Sequence, residues 1–250
     1  MNIEIYEDSA TVAKRAAAIM AEEAWEAIAA RCSFVMAVSG GHTPWLMLRE
    51  LASMAMPWKA VHIVQVDERV APDGDTDRNL THLRESLRDA PIPPDQIYAM
   101  PVESGNLELA AARYAGTLGK IAGEPPVFDL VHLGLGADGH TASLVPGDPV
   151  LRVADADVGL SGPYQGRRRM TLTCPAINRA RKILWVVTGS EKAEMCRQLL
   201  AGDRTIPAGS IHRDRALVVA DWAATATAAN FIRGGVVCGS ELLPTMAGSR

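Results

Sequence analysis

Short, uninterrupted apolar segments alternate along the chain with longer segments in which apolar residues recur every three or four positions. The short segments are rich in β-branched and aliphatic residues, as strands buried on both faces are. They predict strands at residues 34–38, 61–66, 130–135, 183–188 and 217–220. The longer segments predict helices at roughly 9–30, 44–55, 79–87, 107–122, 191–200 and 222–232.

This alternation predicts a three-layer α/β/α sandwich around a mostly parallel, Rossmann-like sheet. Ligands of such sheets bind at the carboxyl ends of the strands. We therefore expect the loops after Val38, Val66 and Leu135 to converge on one pocket. A single domain is predicted over residues 1–233, and the glycine-containing tail over 234–250 is expected to fray.

Composition narrows the class of protein. Hydrophobic residues make up 48% of the 250 positions and charged residues 22%, the balance of a globular protein. The net charge of -4 argues against a broad basic surface for nucleic acid. An anionic substrate must then be attracted by a few local cations, because the overall field opposes it.

The expected location is the cytoplasm, with no membrane partner. The first residues lack the apolar core of a signal peptide, and no apolar run approaches the ~20 residues that span a bilayer. None of the four cysteines forms a Cys-x-x-Cys pair, which favours reduced thiols. The six histidines show no metal-binding spacing either, so no catalytic metal is expected.

The first candidate motif follows the strand at 34–38 and reads Ser39-Gly40-Gly41-His42-Thr43-Pro44. Two glycines allow close approach of a ligand, and Thr43 with Pro44 suits a helix cap and first helical position. A helix N-terminus there would form an anion site, although a plain turn has the same pattern. The motif lacks the Gly-Lys-Ser/Thr of a nucleotide loop. Ser39 also approaches a nucleophile-elbow pattern, which leaves a serine esterase open.

Two further motifs end predicted strands. Asp67-Glu68-Arg69 places a carboxylate and a guanidinium at a strand tip. These side chains either form a solvated edge of the sheet or point into a cleft. Gly134 to Leu144 contains Asp138 and His140 among three glycines. It formally matches a dinucleotide fingerprint, but it lies mid-chain and meets Pro146 too soon for the long helix required. Imidazole titrates near neutral pH, which favours His140 as a general base.

Cations that could hold an anion occur late in the chain. Arg169 precedes a strand-like run, and Lys192 lies at a helix start, where its charge opposes the helix dipole. That placement suggests a ligand anion nearby. Arg167 and Arg168 are interpreted as surface residues.

Together these segments resemble the 6-phosphogluconolactonase family. The matching stretches are residues 39–44, 67–69, 134–144, 169–173, 189–192 and 206–208. The resemblance implies a fold shared with glucosamine-6-phosphate deaminases and ribose-5-phosphate isomerases. It also implies lactone hydrolysis in the oxidative pentose phosphate pathway, a sugar-phosphate substrate and no cofactor. We expect a monomer or small homo-oligomer.

The resemblance assigns roles as well. It makes His140 the base that activates water. Our own expectation is that Asp138 or Asp67 orients this imidazole. The phosphate-holding and cleft-lining residues implied are Ser39, Gly40, Gly41, His42, Thr43, Arg69, Asn79, Arg169 and Lys192.

Two rivals share the sugar-phosphate theme. An amino-sugar-phosphate deaminase would carry an Asn-Glu-Pro-Gly run where this chain has Leu144-Val145-Pro146-Gly147, which lacks the acid. A non-catalytic sugar-phosphate sensor would not need His140, and we expect no appended DNA-binding segment.

Overall fold

The computed structural model describes residues 1–227 and 236–238. The strands are β1 (Asn2–Tyr6), β2 (Phe34–Val38), β3 (Val61–Gln65), β4 (Asp67–Arg69), β5 (Ile97–Tyr98), β6 (Leu130–Leu133), β7 (Val158–Tyr164), β8 (Arg167–Leu172), β9 (Lys182–Val187), β10 (Ala216–Asp221) and β11 (Val236–Cys238). The helices are α1 (Ser9–Arg31), α2 (His42–Ala52), α3 (Asn79–Ser86), α4 (Leu107–Ala122), α5 (Cys174–Asn178), α6 (Ala193–Ala201) and α7 (Trp222–Thr225).

The main sheet is parallel throughout, in the order β11-β1-β10-β9-β6-β2-β3-β5. All five strands predicted from apolar runs lie in it, as β2, β3, β6, β9 and β10. After β2 the chain adds β3 on one side, and later β6 on the other. The crevice at this reversal of strand order is where such sheets bind ligands.

Helices cover both faces of the main sheet. Helices α1, α2 and α3 pack with Phe34 and Met36 of β2, whereas α4, α5 and α6 pack in the core that contains Val35 and Ala37. Neighbouring residues of one strand therefore face different helical layers, which explains why β2 is apolar at every position. The predicted three-layer α/β/α architecture is confirmed.

A small antiparallel sheet, in the order β4-β8-β7, joins the carboxyl edge of the main sheet. Strand β4 continues from β3 after Val66, whose carbonyl accepts the Leu172 amide at 2.7 Å. Strand β8 pairs with β4 so that Arg169 lies opposite Arg69. This sheet therefore brings residues that are about a hundred positions apart to one edge.

Several predicted boundaries differ from the structure. Helix α2 begins at His42 instead of Pro44, and a 3₁₀ turn at Ser190–Lys192 precedes α6. The first part of the predicted helix at 222–232 is α7 (Trp222–Thr225). The predicted residues from 228 onward lie outside the described residues. Strand β11 falls within the predicted tail, the rest of which also lies outside them, so the domain boundary stays a prediction. No helix in the described part of the chain is long and apolar enough to cross a bilayer.

Candidate active site

A cavity of about 350 Å³ opens at the carboxyl edge of the sheet, between the loops after β2, β3, β6 and β9. Eleven of the twelve predicted site residues line it; the twelfth, Asp138, contacts one of those eleven. The eleven are Ser39, Gly40, Gly41, His42, Thr43, Asp67, Arg69, Asn79, His140, Arg169 and Lys192.

The loop after β2 forms one wall. Gly41, at a φ of 135°, caps α2 without a side-chain hydrogen bond, so the expected Thr43 cap is wrong. Thr43 lies inside the first turn instead, and its hydroxyl hydrogen-bonds that of Thr188 at 2.7 Å. A Cβ on Gly40 would lie 2.1 Å from Asn79 Oδ1, so only glycine fits there. No side chain in the described part of the chain accepts a hydrogen bond from the amides of this first turn, as an anion site requires.

His132, on β6, supports the start of this loop. Its Nδ1 accepts the Ser39 amide at 3.3 Å. Burial lowers the pKa of His132 to about 3, which keeps the ring neutral and able to accept that hydrogen bond. Sequence reasoning did not single out His132, because a lone histidine within an apolar strand carries no distinctive pattern.

The Asp-Glu-Arg segment serves two purposes. Glu68 is fully buried, forms an ion pair with the equally buried Arg78, and accepts the Asn79 and Leu80 amides at 2.8 Å each. It thereby caps α3 from another element. The cap fixes Asn79, whose side-chain Nδ2 donates to the Asp67 backbone carbonyl at 3.0 Å. Glu68 is therefore a structural acid, which the sequence motif alone did not distinguish from its neighbours.

Asp67 is buried beside the cavity. Its Oδ2 accepts the Ser143 hydroxyl at 2.6 Å. Burial raises the pKa of Asp67 more than Ser143, Arg69 and Arg169 lower it. No hydrogen bond joins Asp67 to His140 within residues 1–227 and 236–238.

Asp138 is the acid that contacts His140. Oδ1 of Asp138 lies 2.5 Å from Nδ1 of the imidazole and 3.2 Å from the His140 amide. Because a carboxylate accepts, Nδ1 carries a proton, and in the neutral imidazole Nε2 keeps its lone pair. Burial opposes ionisation of Asp138, but hydrogen bonds from His140 and Tyr164 outweigh it, and the pKa of Asp138 lies below its usual range. A Cβ on Gly136 would lie 2.0 Å from Nδ1, which explains the glycine.

Arg69, Arg169 and Lys192 form no close ion pair among the described residues, although the carboxyl group of Asp67 lies near enough to attract both arginines. Arg69 and Arg169 face each other across β4 and β8, and the Nε atoms of both are buried without a partner among the described residues. Burial, with the charge of Arg69, lowers the pKa of Arg169. Lys192 takes part in no ion pair within the described ranges.

Two neighbours of the site had no signal in the sequence. Tyr164, at the end of β7, donates its hydroxyl to Asp138 Oδ2 at 3.0 Å. Arg167, interpreted above as a plain surface residue, pairs with Asp75 and Asp77 of the polar loop at 70–78. That loop is further tied to the site because Arg69 donates to the Asp77 carbonyl at 2.7 Å. Arg167 lies about 90 positions from its partners and Tyr164 lies 26 from Asp138, separations that a local pattern does not reveal.

Comparison with known proteins gives concordant results. The family model of glucosamine-6-phosphate isomerases and 6-phosphogluconolactonases matches residues 7–220. A 6-phosphogluconolactonase of Synechocystis is 38% identical over 181 residues, which cover 70% of this chain and 75% of the relative. A 6-phosphogluconolactonase of Mycobacterium leprae is 34% identical over 240 residues, which cover 90% of this chain and 97% of the relative.

Among solved structures, that of 6-phosphogluconolactonase from Thermotoga maritima superimposes with a TM-score of 0.78 at 25% identity. The match covers 88% of this chain and 98% of that one. The chain therefore belongs to the family of glucosamine-6-phosphate isomerases and 6-phosphogluconolactonases.

Proposed function

We propose that the protein hydrolyses 6-phospho-D-glucono-1,5-lactone to 6-phospho-D-gluconate, with His140 as the general base. The observation that carries the proposal is the Asp138–His140 pair on a cavity wall that also presents Lys192 and the first turn of α2. The relatives named 6-phosphogluconolactonase support the same activity.

His140 Nε2 takes a proton from water as the water oxygen bonds to the lactone carbonyl carbon. The bond from that carbon to the ring oxygen then breaks, and the imidazolium returns the proton to the leaving oxygen. The carboxylic acid formed loses the second proton of the water to solvent, so the products are the carboxylate, the freed hydroxyl of the sugar acid and one proton. Such acid–base help contributes roughly 10²–10⁴-fold. Asp138 keeps the proton on Nδ1 and stabilises the imidazolium.

The phosphate is held by the free amides of the α2 turn, by the Lys192 ammonium and by Arg169. A helix N-terminus favours an anion through its unpaired amides and its dipole. Asp67 does not bind the phosphate in this scheme; it is a counter-ion near Arg69 and Arg169. The side-chain amide of Asn79 donates a hydrogen bond to the same carboxyl group.

The cytoplasm is the proposed location. Cys32, Cys174 and Cys196 are free thiols in the described part of the chain, as a reducing compartment favours. The substrate is the proposed partner, and a monomer or small homo-oligomer stays a prediction.

A substrate comparison tests the activity. We expect lactone hydrolysis above the spontaneous rate, with a much lower kcat/KM for gluconolactone without the phosphate. Glucosamine 6-phosphate should release no ammonia. Ammonia release without lactone hydrolysis would contradict the proposal in favour of a deaminase, and binding of sugar phosphate without turnover of either would favour a sensor.

A further inference from the structure

Tyr164 connects the proposed base to a cation of the same cavity. It ends β7, where the pairing with β8 shifts register between Ser161 and Tyr164. Gln165 and Gly166 follow with φ of 52° and 79°, the pair of positive values that a tight two-residue hairpin requires. Because β8 is held on its other side by β4, the hairpin brings Tyr164 to the loop that contains His140.

The hydroxyl of Tyr164 completes the hydrogen bonding of Asp138. Oδ1 of Asp138 accepts from His140, and Oδ2 accepts from Tyr164 at 3.0 Å. The same hydroxyl also lies 3.4 Å from His140 Nδ1. Burial and the neighbouring carboxylate raise the pKa of Tyr164, so its hydroxyl stays protonated and donates. With both oxygens held, the carboxylate has less freedom to rotate away from the imidazole.

The ring of Tyr164 makes a second, separate contact. The Arg169 guanidinium carbon lies 5.0 Å from the ring centroid, within cation–π range. The imidazole of His140 approaches the same ring edge-on, with centroids 5.2 Å apart. Arg169 is also held by the Tyr164 carbonyl and the Gln165 side chain, at 3.5 and 3.3 Å.

We infer that Tyr164 is a positioning residue with two separable roles: its hydroxyl orients the Asp138–His140 pair, and its ring orients Arg169 toward the substrate phosphate. The inference rests on the proposed function for its kinetic consequences. Tyr164 itself does not line the cavity, so it acts through its two neighbours.

Substitutions separate the two roles. In Tyr164→Phe the ring stays and the hydroxyl is lost, so kcat should fall roughly tenfold, the worth of a hydrogen bond to a charged group, while KM stays within about twofold. In Tyr164→Leu the KM for the phosphorylated lactone should also rise, by about threefold or more. The KM for unphosphorylated gluconolactone should be the same in Tyr164→Leu as in Tyr164→Phe, because that substrate has no phosphate for Arg169 to bind.

Tyr98→Phe is the matched control. Its hydroxyl also contacts a histidine nitrogen, His62 Nδ1 at 3.0 Å, but away from the cavity. It should leave kcat and KM unchanged. If Tyr164 only filled space, Tyr164→Phe would resemble this control, and wild-type kcat in Tyr164→Phe would overturn the role of the hydroxyl. Equal increases in KM for both lactones in Tyr164→Leu would overturn the role of the ring.

A double-mutant comparison and a spectroscopic measurement complete the test. Adding Tyr164→Phe to Asp138→Asn should cost less than about twofold, because the short hydrogen bond of the hydroxyl is to that carboxylate and its 3.4 Å approach to His140 Nδ1 is too long to contribute much. A full additional tenfold loss would contradict it. Proton NMR of the hydrogen-bonded His140 Nδ1–H should show a shifted or broadened signal in Tyr164→Phe, without any turnover. An unchanged signal overturns the inference, whereas failure of the base assignment would appear separately, as normal turnover in a His140 variant.

Discussion

The protein has a charged cavity at each end of its parallel sheet, and the two differ in how their cations are paired. At the amino end, Lys182 pairs with Glu23, Arg181 with Asp129, and Arg215 with Asp214. At the carboxyl end, Lys192 has no ion pair in the described chain, and two arginines keep buried nitrogens without partners. The amino-end cavity is the larger, at about 640 Å³ against 350 Å³.

Whether the cations of a cavity are already ion-paired therefore identifies the binding site better than the volume of the cavity does. Cations already neutralised by carboxylates gain little from an anionic ligand, whereas cations partly removed from water without a partner gain a great deal. The helix N-terminus at the carboxyl end adds to the same field. Among the predictions that follow, the pair of lysine substitutions tests this contrast directly.

The largest stability effect is expected for the buried acid that builds the carboxyl end. Glu68→Ala leaves Arg78 buried without its partner and the first amides of α3 without a cap. The free energy of unfolding should fall by about 3–5 kcal/mol. Glu103→Ala is the control, since its exposed carboxylate lies 3.9 Å from the same guanidinium and should cost under ~0.5 kcal/mol. Equal losses in urea titrations would contradict this account of Glu68.

Substituting one lysine at each end of the sheet should separate effects on substrate binding from effects on stability. Lys192→Ala removes a cation that we assign to the phosphate, and the KM for the phosphorylated lactone should rise by roughly 10–100-fold. Lys182→Ala breaks the pair with Glu23 and should leave KM unchanged, with a loss of up to ~1 kcal/mol in unfolding free energy. Steady-state kinetics and thermal melts measure both. A KM increase in Lys182→Ala would remove the distinction between the ends.

The smallest effect concerns two aspartates of opposite behaviour. Burial raises the pKa of Asp67, so its ionised form destabilises the fold above the folded-state pKa, and that penalty vanishes as the pH falls below the unfolded-state pKa. Asp67→Asn should therefore be more stable than the wild type at pH 7 and lose that advantage in acid.

Asp203 gives the opposite sign. Hydrogen bonds from Thr205 lower the pKa of Asp203, so its contribution to stability is present above the unfolded-state pKa and is lost as the pH falls through the folded-state pKa. Asp203→Asn should be less stable than the wild type at pH 7, and this difference should disappear in acid. Chemical unfolding from pH 3 to 7 checks both variants, and the same sign for both would refute the comparison.

The local pattern predicted the parts of the molecule that depend on near neighbours. Strands such as β2 were found because burial on both faces leaves no polar position, and the site loops because parallel strands end at one edge. The β4-β8-β7 sheet was not predicted as a unit, because its pairing joins residues 67–69 with 169–171. For the same reason neither the burial of Glu68 nor the contact of Tyr164 with Asp138 was visible in the sequence.

The most direct test of the central claim is the turnover of His140→Ala with the phosphorylated lactone, corrected for spontaneous hydrolysis. His212→Ala is the matched control, because that side chain is exposed and has no hydrogen bond in the described structure. The account predicts that kcat falls by roughly 10²–10⁴-fold in His140→Ala, with unchanged folding and near-normal KM, and that the control behaves as wild type. A kcat for His140→Ala within about twofold of the wild type would contradict the assignment of the base.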